Sequence, residues 1–277
     1  MIGVAIGILV GLLALLLRRI TRPLAQLTTR VERFARTREA DGQLQPHGPE
    51  DVSRLIAAHN AMEDRIAALL GEKDVMLGAI GHDLKTPLAG LRIRIESVTN
   101  EIERQKMAAT VEDITRTLDD ILSLARVGRP SDPLQKTELS ALVAAVVEEY
   151  EDMGEPAELG ETERAVLPIR ETWLRRALRN LIGNALRYGG NARVSLHKEG
   201  GDAVIRIADD GPGIPPEAIA GLFEPFARGE PSRNRTTGGA GLGLTLARAI
   251  AEQHGGRLTL ANRPEGGLLA ELRLPLS

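Results

Sequence analysis

The chain opens on an unbroken apolar run from Met1 to Leu17 that ends abruptly at Arg18, Arg19 and Arg22. At about 1.5 Å per residue the run makes about 25 Å of helix, against a hydrocarbon core of roughly 30 Å. It predicts a transmembrane helix over residues 1–17. The arginines behind it place the rest of the chain in the cytoplasm by positive-inside bias. A signal peptide would begin with charge and end in small residues; this run begins uncharged and ends in LLLRR. A buried core helix of a soluble protein is the plainer alternative. Because the apolar run starts at the first residue, a sensor segment and a first membrane helix are expected upstream.

From Ile20 the pattern changes to alternating steps of four and three: Ile20, Leu24, Leu27, Val31, Phe34. That is a coiled-coil seam. Gly42, Pro46, Gly48 and Pro49 break it. It resumes with Val52, Leu55, His59, Met62, Ile66 and Leu69. Two short parallel helices joined by an extended connector satisfy this pattern. The seam runs on through Met76, Ile80, Leu84, Leu88, Leu91, Ile95, Val98 and Ile102, and a return helix carries Met107, Val111, Ile114, Leu118, Ile121 and Ala125. A helical hairpin with its turn near Glu103–Lys106 is predicted. One hairpin cannot bury its seam and flanks alone, so two copies pairing into a four-helix bundle, a homodimer, are expected.

Residues 128–133, GRPSDP, read as a linker. Beyond it, amphipathic helices are predicted over 140–150 and 172–187. A strand hairpin follows over 192–198 and 203–208, then a helix over 242–254 and strands over 257–262 and 268–274. This mixture is an α/β sandwich of one domain's size.

Composition narrows the chemistry. The net charge is −3 and aromatic residues make up 2%, so neither a nucleic-acid field nor a base-stacking platform is present. No nucleic-acid partner is expected. Cysteine is absent, which excludes disulfides, thiolate metal sites and a thiol nucleophile.

Two groups of residues carry candidate chemistry. The first is GHDLKTPL at 81–88. His82 lies two residues past Ile80, about 200° around a helix, and so faces outward. A solvated imidazole is mostly neutral near pH 7 and can act as a nucleophile. Asp83 beside it can hold one ring nitrogen protonated and leave the other lone pair free. Thr86 shares the face of His82, and Pro87 interrupts the helix ladder. A surface histidine alone would mean little, and His59 on the seam reads as a packed core residue. The second group begins with Asn180 and Asn184, one turn apart on a helix. Amide oxygens suit Mg²⁺. Arg187 offers a permanent cation. DDGPGI at 209–214 follows a strand, and Gly211 and Gly213 allow close approach of backbone to a ligand. Asp210 reads as a solvated neighbour of Asp209. GGAGLGL at 238–244 precedes a helix whose N–H groups can bind phosphate oxygens, and no Walker lysine follows. FEPFAR at 223–228 lies between the glycine boxes, and the polar segment Arg228–Thr237 reads as a mobile lid.

In this order and spacing, these boxes resemble the sensor histidine kinases of bacterial two-component systems over roughly residues 18–277. Pro23, Glu50-Asp51 and HNAM at 59–62 resemble a HAMP linker. The resemblance implies a multi-domain chain. A transmembrane helix at 1–17 is followed by an all-α HAMP-like linker at 18–71. A dimeric phosphotransfer hairpin follows at 72–130, then a Bergerat-type α/β sandwich that binds ATP at 136–277. It implies that His82 accepts a phosphoryl group with Asp83 and passes it to an aspartate of a response regulator. Thr86 would serve dephosphorylation of that regulator. ATP would be held by Asn180, Asn184, Arg187, Tyr188, Asp209, Gly211, Gly213, Gly239, Gly241, Leu242 and Gly243, with Mg²⁺ on Asn184 and the adenine amino group on Asp209. The expected location is the bacterial inner membrane. The departures are His59 for phenylalanine, Arg187 for lysine, Ala227 and Ala240. Two other classes keep the same boxes: a scaffold or degenerate kinase that binds without transfer, and a clamp ATPase of the gyrase kind with His82 incidental.

Overall fold

The computed structural model describes residues 2–37, 42–127, 133–227 and 241–276. The chain divides into two compact units, Met1–Gly78 and Ala79–Ser277.

The first unit is built on helix α1 (Ile2–Thr37) and the first part of α2 (Glu50–Ile95). The apolar start of α1 is exposed along its length, and the stretch Ile2–Phe34 is long and apolar enough to cross a membrane. Pro23 lies inside α1, where it cannot donate to the Arg19 carbonyl one turn back. Farther along, α1 packs against α2 through Leu27, Phe34 and Ile56. The predicted seam is split. Leu55, Met62 and Leu69 stay about half exposed, while Ile56, Asn60 and Glu63 are buried instead. A helix facing one neighbour buries a stripe set by that neighbour, so the other half of a heptad seam is left outside.

The buried stripe carries a polar layer. Arg30 donates from Nε to both Glu63 oxygens at 3.1 and 3.2 Å, from Nη2 to Glu63 at 2.9 Å, and to the Gly42 carbonyl. His59 Nε2 lies 3.0 Å from Glu63. Asn60 donates to the Leu44 carbonyl at 2.8 Å. Burial pushes the Glu63 carboxyl up, but Arg30 and His59 outweigh it and hold the group below the usual range. The connector is thus fastened to both helices by hydrogen bonds.

In the second unit, α2 ends at Ile95 and α3 spans Glu101–Arg126. The turn falls at residues 96–100, earlier than the predicted Glu103–Lys106. Asn100 sets it: its side chain accepts from the N–H groups of Ile102 and Glu103 at 3.0 and 3.2 Å. Val98 therefore lies in the turn, not on the seam. A Cβ on Gly81 would sit 2.7 Å from Leu122 Cδ1, so glycine lets the two helices close at the level of His82. Ile80, Leu84, Leu91, Met107, Ile114 and Ile121 remain exposed along the hairpin.

The α/β sandwich follows. A ribbon pairs β1 (Gln135–Glu138) with β3 (Val166–Ile169). The main sheet has the order β2-β4-β5-β7-β6, from β2 (Ala157–Thr162), β4 (Ala192–Glu199), β5 (Asp202–Ala208), β6 (Arg257–Asn262) and β7 (Leu268–Pro275). Only β2 and β4 run parallel. Helices α4 (Leu139–Asp152), α5 (Glu171–Gly189) and α7 (Gly243–Gln253) contribute Val143, Val146, Leu174, Leu178, Leu246 and Ile250 to the core. The strands add Leu196, Ile205, Leu272 and Leu274. The alternate strand positions carry ion pairs, Arg206 with Glu199 and Glu271, and Arg273 with Glu271. A short helix α6 (Pro216–Ile219) and a 3-10 turn lie between β5 and α7. Helices α4, α5 and α7 and the last four strands match their predicted positions within a few residues; β1, β2, β3 and α6 were not anticipated.

Candidate active site

His82 projects from α2 into solvent, with its side chain 82% exposed. Its Nδ1 lies 3.4 Å from Asp83 Oδ1, at the outer limit of a hydrogen bond. That contact leaves Nε2 as the outward nitrogen. Thr86 Oγ1 donates to the His82 carbonyl at 3.1 Å, one turn back on the same face. Lys85 reaches across the hairpin to Asp119 on α3 at 2.7 Å. Pro87 lies within α2, which continues through it to Ile95.

The second group of residues centres on Asp209, where β5 ends. Asp209 follows β5 and is only 7% exposed. Its Oδ1 accepts from the N–H of Gly211 at 2.9 Å and of Leu268 at 3.0 Å. The main chain bonds Asp209 to Leu268 as well, so the carboxylate is fixed by the first residue of β7. Glycines make room for it. A Cβ on Gly189 would fall 2.3 Å from Asp209 Cβ, and one on Gly267 would fall 1.9 Å from the Asp209 carbonyl oxygen.

Asp210 is not merely solvated. It accepts from Arg263 at 2.8 Å, Arg193 at 2.8 Å and Asn191 at 2.6 Å. Hydrogen bonds from Arg263 and then Asn191 hold its carboxyl below the usual range. Arg263 also donates to the Asp209 carbonyl at 2.6 Å. Farther along, Asn262 bonds both the N–H and the carbonyl of Ile214, at 2.9 and 2.6 Å, and so pins the loop bearing Gly211 and Gly213. Arg263, Asn262, Asn191 and Gly189 were missed from sequence. The segment NRPEGG reads as an ordinary turn between two strands, and nothing local ties it to Asp209.

Asn180 and Asn184 lie one turn apart on α5, both half-buried. Asn180 Nδ2 approaches the Gly243 carbonyl at 3.4 Å and links α5 to the first turn of α7. Arg187 is half-buried and Tyr188 is 56% exposed near the end of α5. Gly241 has φ +70°, Leu242 is buried, and Gly243 opens α7. Phe226 in the FEPFAR box is exposed with φ 65°. Gly239, Ala240 and the lid Arg228–Thr237 lie outside the described residues.

The structure therefore brings Gly189, Asp209, Gly211 and Leu268 together where β5 ends, and sets Asn180 against Gly243 at the start of α7. It does not bring His82 into that group: among the described residues, no hydrogen bond or ion pair joins residues 82–86 to the pocket. Nor do three histidine or carboxylate side chains converge as a metal cluster among the described residues.

Comparison with known proteins identifies relatives of this chain. Residues 169–277 match the family described as histidine kinase-, DNA gyrase B- and HSP90-like ATPase. The sensor histidine kinase GtrS of Pseudomonas aeruginosa is 33% identical over 255 residues, covering 92% of this chain and 53% of GtrS. The sensor protein BasS of Salmonella typhimurium is 30% identical over 264 residues, covering 90% of this chain and 72% of BasS. The crystal structure of full-length ShkA in complex with AMPPNP shares the fold, with TM-score 0.57 and 24% identity over 73% of this chain and 46% of ShkA. The chain thus spans about half the length of GtrS.

Proposed function

The chain belongs to the two-component sensor histidine kinases, and from that premise we propose that it is an ATP-dependent protein-histidine kinase whose phosphoacceptor is His82. The observation that carries this reading is the pairing, in one chain, of an outward imidazole beside a carboxylate with a buried aspartate packed against glycines. His82 is solvated, and room for Asp209 requires glycine at positions 189 and 267.

In this reading the adenine amino group donates to Asp209 Oδ2, because Oδ1 already accepts two backbone N–H groups. Asn180, Asn184 and Arg187 line the phosphate side, and the N–H groups opening α7 face phosphate oxygens. The donor set fits a Mg²⁺ carried in by the nucleotide. Asn184 offers one neutral oxygen, and phosphates and water complete such a shell. When bound, Mg²⁺ neutralises charge on the triphosphate.

The reaction is in-line displacement at the γ-phosphorus. The His82 Nε2 lone pair forms the N–P bond, the bond to the β,γ-bridging oxygen breaks, and ADP leaves. Asp83 keeps the proton on Nδ1 and stabilises the ring as it becomes cationic. The phosphoramidate then passes its phosphoryl group to an aspartate of a response regulator. Thr86, one turn away, would orient the water that hydrolyses the regulator's aspartyl phosphate, with inorganic phosphate leaving.

The split apolar stripes support a homodimer. The exposed residues of residues 18–71 and of the hairpin over 72–130 would pair with a second copy, the first as a HAMP-like linker and the second as a four-helix bundle. Residues 1–17 would anchor the assembly in the inner membrane, with the ATP-binding domain, 136–277, in the cytoplasm.

Paired variants test the reading on the full chain in lipid nanodiscs. Asp209→Asn is expected to lose binding of a fluorescent ATP analogue. His82→Gln is expected to keep binding and lose acid-labile label from γ-labelled ATP. Release of phosphate with no protein-bound label in the parent would contradict it and favour the clamp ATPase.

A further inference from the structure

The hairpin and the ATP-binding domain are joined by an ion pair that neither the phosphoacceptor box nor the pocket uses. Asp120 on α3 lies 3.3 Å from Arg176 Nη2 on α5, with side chains 14% and 32% exposed. Asp119 and Arg116 are the other charged neighbours of Asp120. The pair sits at an informative height. Gly81 faces Leu122 and Lys85 pairs with Asp119, so residues 119–122 lie level with His82. On the other side, Arg176, Asn180 and Asn184 follow one another at steps of four along α5, on nearly one face. Leu124 and Val127, just beyond Asp120, pack against the sandwich core. The contact therefore clamps the pocket-bearing helix to the hairpin at the level of the acceptor.

That docked arrangement is not the transferring one. Phosphoryl transfer needs the acceptor nitrogen about 3–3.5 Å from phosphorus, in a site from which water is excluded. Here the domain is docked and yet His82 is 82% exposed, with Asp83 at 81%. The box is open to a separate partner.

We propose that the Asp120–Arg176 ion pair is a latch: it parks the ATP-binding domain so that His82 faces a regulator, and its release permits autophosphorylation. The inference rests on the kinase reading above. Arg176 is then a positioning residue that acts through α5.

The test uses the full chain in lipid nanodiscs. Asp120→Asn or Arg176→Asp is expected to raise the initial rate of His82 labelling at saturating ATP about fivefold, as loss of one part-buried ion pair allows, with KM for ATP unchanged. Asp120→Arg combined with Arg176→Asp should return the rate toward the parent. Rates that fall or stay level in the single variants, or a swap that restores nothing, would overturn the latch. A second measurement does not depend on those rates. The chain has no cysteine, so Asp120→Cys/Arg176→Cys can be bridged by a short bismaleimide. One intrachain adduct by intact mass, with labelling suppressed, is expected; an adduct with undiminished labelling overturns the proposal. A parent chain that never labels His82 would overturn the kinase reading instead, while the adduct yield still reports the contact.

Discussion

Gly189→Ala separates helix propensity from pocket geometry. Gly189 is the last residue of α5. Propensity alone favours alanine there by at most about 1 kcal/mol. The pocket opposes it: the new methyl would lie 2.3 Å from Asp209 Cβ, 2.6 Å from Cγ and 2.7 Å from Oδ1. Asp209 cannot retreat without giving up the N–H groups of Gly211 and Leu268. Overpacking of this kind costs about 1–3 kcal/mol, and a hydrogen bond to a charged group contributes about 1.5–3 kcal/mol. The clash therefore wins. ATP affinity is expected to fall about 10- to 100-fold, since about 1.4 kcal/mol is tenfold. The preference for ATP over GTP should shrink with it, because guanine carries a carbonyl where adenine carries the amino donor. Titration calorimetry with both nucleotides measures this, and a thermal melt followed by Trp173 fluorescence reads the fold. Unchanged ATP affinity and unchanged ATP preference would refute the assignment of Asp209.

Three further outcomes are expected. Asn100→Ala removes the cap from α3 and should lower the stability of the hairpin by about 1 kcal/mol, read as a lower midpoint in urea melts followed by circular dichroism. Glu63→Ala removes the carboxylate that Arg30 and His59 share, and breaking a buried pair costs about 3–5 kcal/mol; hydrogen exchange should speed up at residues 50–63 and leave the α/β sandwich unchanged. His254 is half-buried, accepts from the Arg170 N–H at 3.0 Å and places Nδ1 against the Ile250 carbonyl at 2.8 Å. Burial holds its folded pKa below the ordinary value of about 6.5. The unfolded chain therefore binds the proton first, so sandwich stability should be full above that value and fall as pH drops through it. Urea midpoints at pH 7.5 and 5.5 check the slope, which His254→Gln should flatten.

Helices α4, α5 and α7 and the hairpin of β4 and β5 were legible because their apolar periods are long and glycine follows them at 154, 190, 255 and 200. Strands β1, β2 and β3 were not, since QKTE shows no apolar alternation, AELGET offers only Ala157 and Leu159, and VLPI contains Pro168. They become strands by pairing with residues far away in sequence. The same distance hid half of the pocket. Asp209, Asn180 and the glycine boxes stand out locally, whereas Arg263, Asn262 and Gly189 matter only because β6, β7 and α5 converge on Asp209. The hairpin turn was misplaced because the seam was followed past Ile95, although Asn100 with Glu103 three residues on is a cap signal.

The central claim is that a phosphoryl group is carried on His82. The most direct measurement incubates the full chain in nanodiscs with ATP and Mg²⁺, digests it rapidly at neutral pH and maps phosphate by tandem mass spectrometry. Phosphate on the imidazole of His82, absent in Asp209→Asn, is the predicted result. Phosphate on another residue, or none while the nucleotide stays bound, would contradict the account.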